Sequence, residues 1–177
     1  MRKPTPSQTV GPFFDFCLTA DATHGIVFPD AASRIRLRFR VLDGEGDPVP
    51  DAVVEIWQTC DTPGRDAGFG RLGTRADGSC EFDTVRPCDP PEGAAHINVC
   101  LFARGLLRHL HTRLYFDGDP RLASDPLLAL VPESRRGTLI ASRDAGSEES
   151  AAAISARPAW QFDIRLQGAD ETVFFDV

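Results

Sequence analysis

The sequence predicts a mainly β domain, an antiparallel β-sandwich with long loops and at most short helices, and three observations lead there. Several segments alternate apolar and polar residues with the period of two that half-buried strands require. Turn-forming clusters separate these segments at modest spacing. Only the stretch from Pro120 to Val131 has the signals of a short helix. At 177 residues the chain is long enough for one sizeable core, and nothing in it suggests a linker between two comparable halves. Residues 1–177 therefore read as one domain, with an N-terminal arm over about residues 1–16.

The elements follow in order. Arg34 to Leu42 sets Ile35, Leu37, Phe39 and Val41 on one face and Arg34, Arg36, Arg38 and Arg40 on the other. That is a half-buried strand whose arginine comb is either a solvated sheet face or a contact with another subunit. Asp43 to Pro48 supplies a turn, and Ala52 to Gln58 returns as a more buried strand expected to pair antiparallel with the first. Asp77-Gly78 signals a hairpin, and Ser79 to Thr84 continues as a strand. Ala95 to Arg104 directs Ile97, Val99, Leu101 and Ala103 to the core, with His96, Asn98, Cys100, Phe102 and Arg104 opposite. Leu110 to Phe116 is strand-like and is stopped by Asp117-Gly118-Asp119-Pro120. Gly146 to Ala156 reads as a loop. Trp160 to Gln167 alternates again, and Gly168-Ala169-Asp170 turns into a last strand from Glu171 to Val177.

Composition excludes several classes of function. A net charge of −7 leaves no basic face for a phosphate backbone or an anionic leaflet. No apolar run approaches membrane-spanning length, and no apolar stretch of a secretory signal precedes Pro12, so a cytoplasmic location is expected. The five cysteines include no C-x-x-C pair, which points to reduced, mostly buried thiols in place of a disulfide framework or zinc knuckle.

The chemistry-bearing segments are Phe82-Asp83-Thr84-Val85-Arg86-Pro87, His96-Ile97-Asn98-Val99, Arg113 to Asp119, and Asp125-Pro126. Together they resemble the core of the intradiol ring-cleavage dioxygenases. Thr5 to Phe14, His96 to Gly105, Arg135 to Ala141, Phe162 to Gly168 and Glu171 to Asp176 extend that resemblance over essentially the whole chain. They place it with the metal-free subunits of members built from two kinds of chain. In the family a strand carries His-x-His and two tyrosines complete a ferric site. Here Asn98 takes the second histidine position, and a neutral amide oxygen is a weaker donor than imidazole. Tyr115 is the single tyrosine of the chain, in a segment that is structural in the family. Phe69 or Arg71, and the loop Cys88 to Gly93, replace the tyrosine ligands.

The resemblance thus implies no metal and no catalytic residue on this chain, with His96 and Asn98 a vestigial site. Fe(3+) would be bound by a homologous partner beta subunit, within a higher oligomer of such pairs. The reaction implied is cleavage of 3,4-dihydroxybenzoate by O2 between its hydroxyls, giving 3-carboxy-cis,cis-muconate, in a cleft at the interface. Thr9, Gly11, Pro12 and Arg104 are the residues the resemblance sets against that substrate. A ring carboxylate suits the forked, permanently charged guanidinium of Arg104. Gly11-Pro12 suits a close backbone approach, glycine allowing unusual φ and proline fixing the next residue.

Other readings stand beside these. Arg104 can be a surface arginine paired with an acidic neighbour, and Thr9 to Pro12 a terminus without order. His109-Leu110-His111 is a second His-x-His with no cysteine or carboxylate ligand near it in sequence, either a polar strand face or a metal site. A stand-alone binding or scaffold domain would keep the fold without catalysis. An adjacent reading frame encoding a homologue with His-x-His and two tyrosines discriminates against it.

Overall fold

A computed structural model of the chain describes residues 4–11, 13–19, 25, 27, 34–58, 68–143 and 157–176. Pro12, Cys60 and the loop expected at Gly146 to Ala156 lie outside the described residues. The strands are β1 (Ile35–Leu42), β2 (Val53–Gln58), β3 (Gly68–Gly73), β4 (Ser79–Thr84), β5 (His96–Phe102), β6 (Leu110–Phe116), β7 (Ile140–Arg143) and β8 (Ala159–Arg165). Among the described residues the α-helices are short: α1 (Phe13–Leu18) ahead of β1, and α2 (Pro126–Leu130) and α3 (Glu133–Arg136) between β6 and β7. No described helix is long and apolar enough to cross a membrane.

The strand order is β3-β2-β5-β6-β7-β8-β1-β4. A four-stranded half, β3-β2-β5-β6, packs its inner face against the half β7-β8-β1-β4. The halves join through a short parallel contact in which Tyr115 and Phe116 of β6 face Ile140 and Ala141 of β7. Leu37, Phe39 and Val41, Val54 and Ile56, Phe82, Ile97, Val99 and Leu101, Leu114 and Phe116, and Phe162 and Ile164 fill the space between. Phe39 at the centre meets Phe82 and Phe162 edge-on, with ring centroids 5.6 and 5.8 Å apart. Such pairs add about 0.5–1.5 kcal/mol each beyond their buried area.

The β-sandwich expectation holds, with corrections to its pairing. The sheet is mixed, because β1 and β8 run parallel, with Phe39 opposite Phe162. β1 does not pair with β2; its neighbours are β4 and β8. The turn after β1 starts a return, with a bridge from Leu42 to Pro48, but Asp51 then takes a left-handed φ of 53° and the chain crosses to the other layer. Asp77-Gly78 forms its turn without joining neighbouring strands, since β3 pairs with β2 and β4 with β1. Gly78 is required there: its φ is 72°, and a Cβ would lie 2.6 Å from the Val41 carbonyl oxygen. The last segment makes a single bridge, Phe175 to His111, in place of a strand.

The arginine comb is a ladder of cross-strand ion pairs. Arg34 meets Asp83 at 2.9 Å, Arg36 meets Glu81 at 3.3 Å, Arg38 meets Asp77 at 3.8 Å and Arg40 meets Asp163 at 2.5 Å. The acidic partners come from β4, from the turn before it and from β8, so each arginine of the comb finds a carboxylate within this chain, while the Nε atoms of Arg34 and Arg40 stay buried without a hydrogen bond among the described residues.

Candidate functional site

Two places gather the residues singled out by sequence. The first is a corner where the N-terminal arm meets the turn after β5. That strand ends at Phe102, so Arg104 stands in the turn beyond it and not on the strand face with His96 and Asn98. The Gly105 N–H donates to Thr9 Oγ1 at 2.7 Å, which ties the arm to the turn across 96 residues of sequence. Arg104 reaches Asp51 Oδ2 at 2.9 Å, and with its side chain 55% exposed it keeps donors facing outward. Phe14 of α1 packs on Phe102, ring centroids 5.2 Å apart, which holds the arm from the other side. Gly11 does not use the unusual φ that glycine allows, and a Cβ on it would meet open space. Its carbonyl accepts from Phe14 N at 3.1 Å and starts α1. The corner brings Thr9 and Arg104 together and leaves Gly11 open toward solvent.

The second place is the outer face of β3-β2-β5-β6. Register sets Phe69, Trp57, Asn98 and Arg113 in one row, and Arg71, Glu55, Cys100 and His111 in the next. A cavity of about 600 Å³ opens over this face, between Trp57, Asn98, Cys100, His109, His111 and Phe175. Trp57 packs on Phe69 with the rings tilted and their centroids 4.4 Å apart, and remains half-exposed. Arg71 Nε donates to Glu55 Oε1 at 2.7 Å, a pairing that satisfies a carboxylate which is itself buried.

The residues on this face do not fit the ferric site that the resemblance implies for the family. Asn98 is exposed and carries no imidazole. His96 Nδ1 bonds the Ala94 carbonyl at 3.0 Å, and burial lowers the pKa of its ring. Tyr115, opposite His96 in the ladder, is fully buried, and its hydroxyl donates to Asp125 Oδ1 at 3.2 Å. Burial pushes the Tyr115 hydroxyl up to about 12, the wrong direction for a tyrosinate ligand. Phe69 and Arg71 offer no anionic oxygen, so the tyrosinate ligands of the family's Fe(3+) are missing here, and the one carboxylate in these two rows, Glu55, is held by Arg71. Replacing Asn98 by His is therefore expected to produce no tyrosinate-to-iron absorption when the purified chain is loaded with ferric iron and its visible spectrum recorded.

Asp125 organises the end of this face. It accepts from Ala94 N at 2.9 Å through Oδ2, and from Leu127 N at 3.0 Å and Leu128 N at 2.9 Å through Oδ1. It caps α2 and fastens the loop that leads into β5. Burial pushes its carboxyl up, but these N–H donors and the Tyr115 hydroxyl outweigh that and hold it below the ordinary carboxylate value.

Sequence reasoning missed one grouping. Cys100 lies directly opposite His111 in the β5–β6 ladder, and His109 precedes it by two residues. The Cys100 sulfur and one ring nitrogen of each histidine lie within 4.8 Å of one another. Burial, with Glu55 adding to it, pushes the Cys100 thiol up to about 12. Recognising β5 and β6 as one hairpin would have found the grouping, because counting inward from the turn sets Cys100 across from His111. Cys80 is buried like Cys100, as expected, whereas Cys17 is exposed. Arg135 and Arg136 bond backbone carbonyls of this chain, at Glu171 and Val131.

No family model matches the chain. It is 41% identical to the protocatechuate 3,4-dioxygenase alpha chain of Burkholderia cepacia, over 99% of this chain and 98% of that one. It is 35% identical to the protocatechuate 3,4-dioxygenase beta chain of the same organism, over 78% of this chain and 66% of the other. Among solved structures, the dioxygenase domain of a dioxygenase–carbohydrate-binding protein fusion from Streptomyces sp. SirexAA-E matches with a TM-score of 0.62 and 26% identity. That match covers 94% of this chain and 100% of the other.

Proposed function

The chain belongs to the intradiol ring-cleavage dioxygenases, alongside the protocatechuate 3,4-dioxygenase alpha chains, and from that membership we propose that it is the non-iron alpha subunit of such an enzyme. It forms one wall of an active site whose Fe(3+) is held by a homologous beta subunit. The observation that carries this reading is the unfit ligand face: Asn98 stands where a histidine is needed, and the single tyrosine is turned inward onto Asp125. A chain so closely related to the family yet unable to furnish its metal site needs a partner that can. The similarity to a beta chain as well as an alpha chain supports a pairing of that kind.

Iron in the partner supplies the electronic activation of the catecholate and O2. This chain binds and orients. Arg104, half-exposed at the corner, offers its remaining donors to the carboxylate of 3,4-dihydroxybenzoate, while Asp51 accepts from Nη2 and fixes the guanidinium. Thr9, Gly11 and Pro12 line the cleft beside it; the Thr9–Gly105 hydrogen bond supports that placement for the arm. Gly11, where an added Cβ would meet nothing within 4 Å among the described residues, lets the arm's backbone approach a ligand closely. Phe13 and Phe16 of α1 are about three-quarters exposed, an apolar surface that suits coverage by the partner subunit. In this reading residues 1–177 act as one domain with an arm over about residues 1–16, in a cytoplasmic αβ hetero-oligomer.

Co-expression with a homologous chain carrying His-x-His and two tyrosines tests the proposal, by size exclusion, iron analysis and oxygen uptake on protocatechuate. The expected result is a co-eluting complex with iron equimolar to the partner and activity that the present chain lacks alone. Iron-dependent activity from the present chain alone would overturn it.

A further inference from the structure

Cys100, His109 and His111 form a cluster that the dioxygenase reading leaves without a role. We propose that they bind a divalent transition-metal ion of zinc type, with one coordination position open to the cavity. The three ligand atoms lie within 4.8 Å of one another. Around a tetrahedral zinc ion, with bonds of about 2.0–2.3 Å, ligand atoms stand roughly 3.3–3.6 Å apart, so side-chain adjustments of about an ångström close the site. Sulfur and imidazole nitrogen select zinc and its neighbours over ferric iron, which prefers anionic oxygen. The site is therefore distinct in chemistry from the family's ferric centre.

The fold holds the three groups from separate directions. Cys100 is buried between β2 and β6, in register with Glu55 and with His111. The His111 carbonyl accepts from Phe175 N at 2.8 Å, which pins that part of β6 beneath the C-terminal segment. The His109 ring packs on Phe102 at 5.3 Å and stands nearly perpendicular to the His111 ring, 4.7 Å away. Burial falls from Cys100 through His111 to His109, which leaves the fourth position facing the cavity, where Asp176 lines the wall. A water or that carboxylate would complete the tetrahedron.

Titration of the full-length chain, co-purified with its iron-binding partner, tests the site with Co2+ as probe, read as a difference spectrum so that iron absorption cancels. The expected result is saturation at one Co2+ per copy of this chain, with a thiolate-to-cobalt charge-transfer band, and displacement by Zn2+. Cys100→Ser should abolish that band. His109→Gln, at an exposed position where the fold is not at stake, and His111→Gln should each weaken Co2+ binding by about 10-fold or more. No saturable Co2+ binding, or binding of equal strength in His109→Gln, would overturn the site. Neither outcome depends on dioxygenase activity.

Discussion

Replacing Arg104 by Ala is expected to lower kcat/KM for protocatechuate in the assembled enzyme by about 10- to 150-fold, the loss of a charge-assisted hydrogen bond worth about 1.5–3 kcal/mol. Iron content should not change, because no group at this corner belongs to a metal site. Stability should change little as well. The Arg104–Asp51 pair is half-exposed, and exposed ion pairs contribute about 0–1 kcal/mol. Arg104→Lys keeps the charge but loses the planar fork, so it should recover part of the rate and little of the discrimination against substrates lacking the carboxylate. Steady-state kinetics on protocatechuate and on catechol, with iron analysis of each variant, make the check. An unchanged kcat/KM in Arg104→Ala would remove this residue from the substrate wall.

Asp125→Ala should destabilise the chain by about 3–5 kcal/mol, the range expected when one buried carboxylate leaves several donors without an acceptor. Three backbone N–H groups and the Tyr115 hydroxyl lose their partner together. Tyr115→Phe removes only the last of these bonds and should cost about 1 kcal/mol. The effect has a pH signature. Asp125 is held below its ordinary value of 3.8, so the folded chain resists its protonation. Its contribution is complete above that ordinary value and is lost as pH falls through the lower folded-state value. Urea unfolding at a series of pH values should show the gap between the parent and Asp125→Ala narrowing below about pH 4. A gap that stays constant with pH would mean the carboxylate's charge is not what stabilises this loop.

Much of the fold is legible as faces. Alternation marked β1, β4, β5 and β8 and separated their two faces, the buried set Leu37, Phe39, Phe82, Ile97, Val99, Leu101 and Ile164 agrees with it, and β2 and β6 were read as strands from their apolar content without a face. β3 escaped because Gly68, Gly70 and Gly73 dilute its β propensity, and β7 because four residues are too few to display a period. The turn residues at Asp43–Pro48 and Asp77-Gly78 were read correctly as turns and wrongly as hairpins. Turn chemistry specifies a local reversal of the backbone, while the layer the chain enters next depends on where its apolar face finds a partner. Of the proposed site, Thr9 and Arg104 were assigned through motif resemblance, and the hydrogen bond that joins arm and turn was invisible, being made between residues 96 positions apart.

By itself the sequence determined that the chain is β-rich, acidic and limited to one tyrosine, and therefore short of the ligands for a two-tyrosinate iron site. These are properties of composition and of nearest neighbours, and no folding is needed to read them. Only the tertiary structure decided that β1 lies parallel to β8 and that Tyr115 turns onto Asp125. The reason is physical. A strand's period of two fixes which side chains share a face, but its partner is chosen by how the two layers' side chains interlock. The cost of closing a loop grows only slowly with its length, so a distant segment competes for that partnership almost as well as a near one.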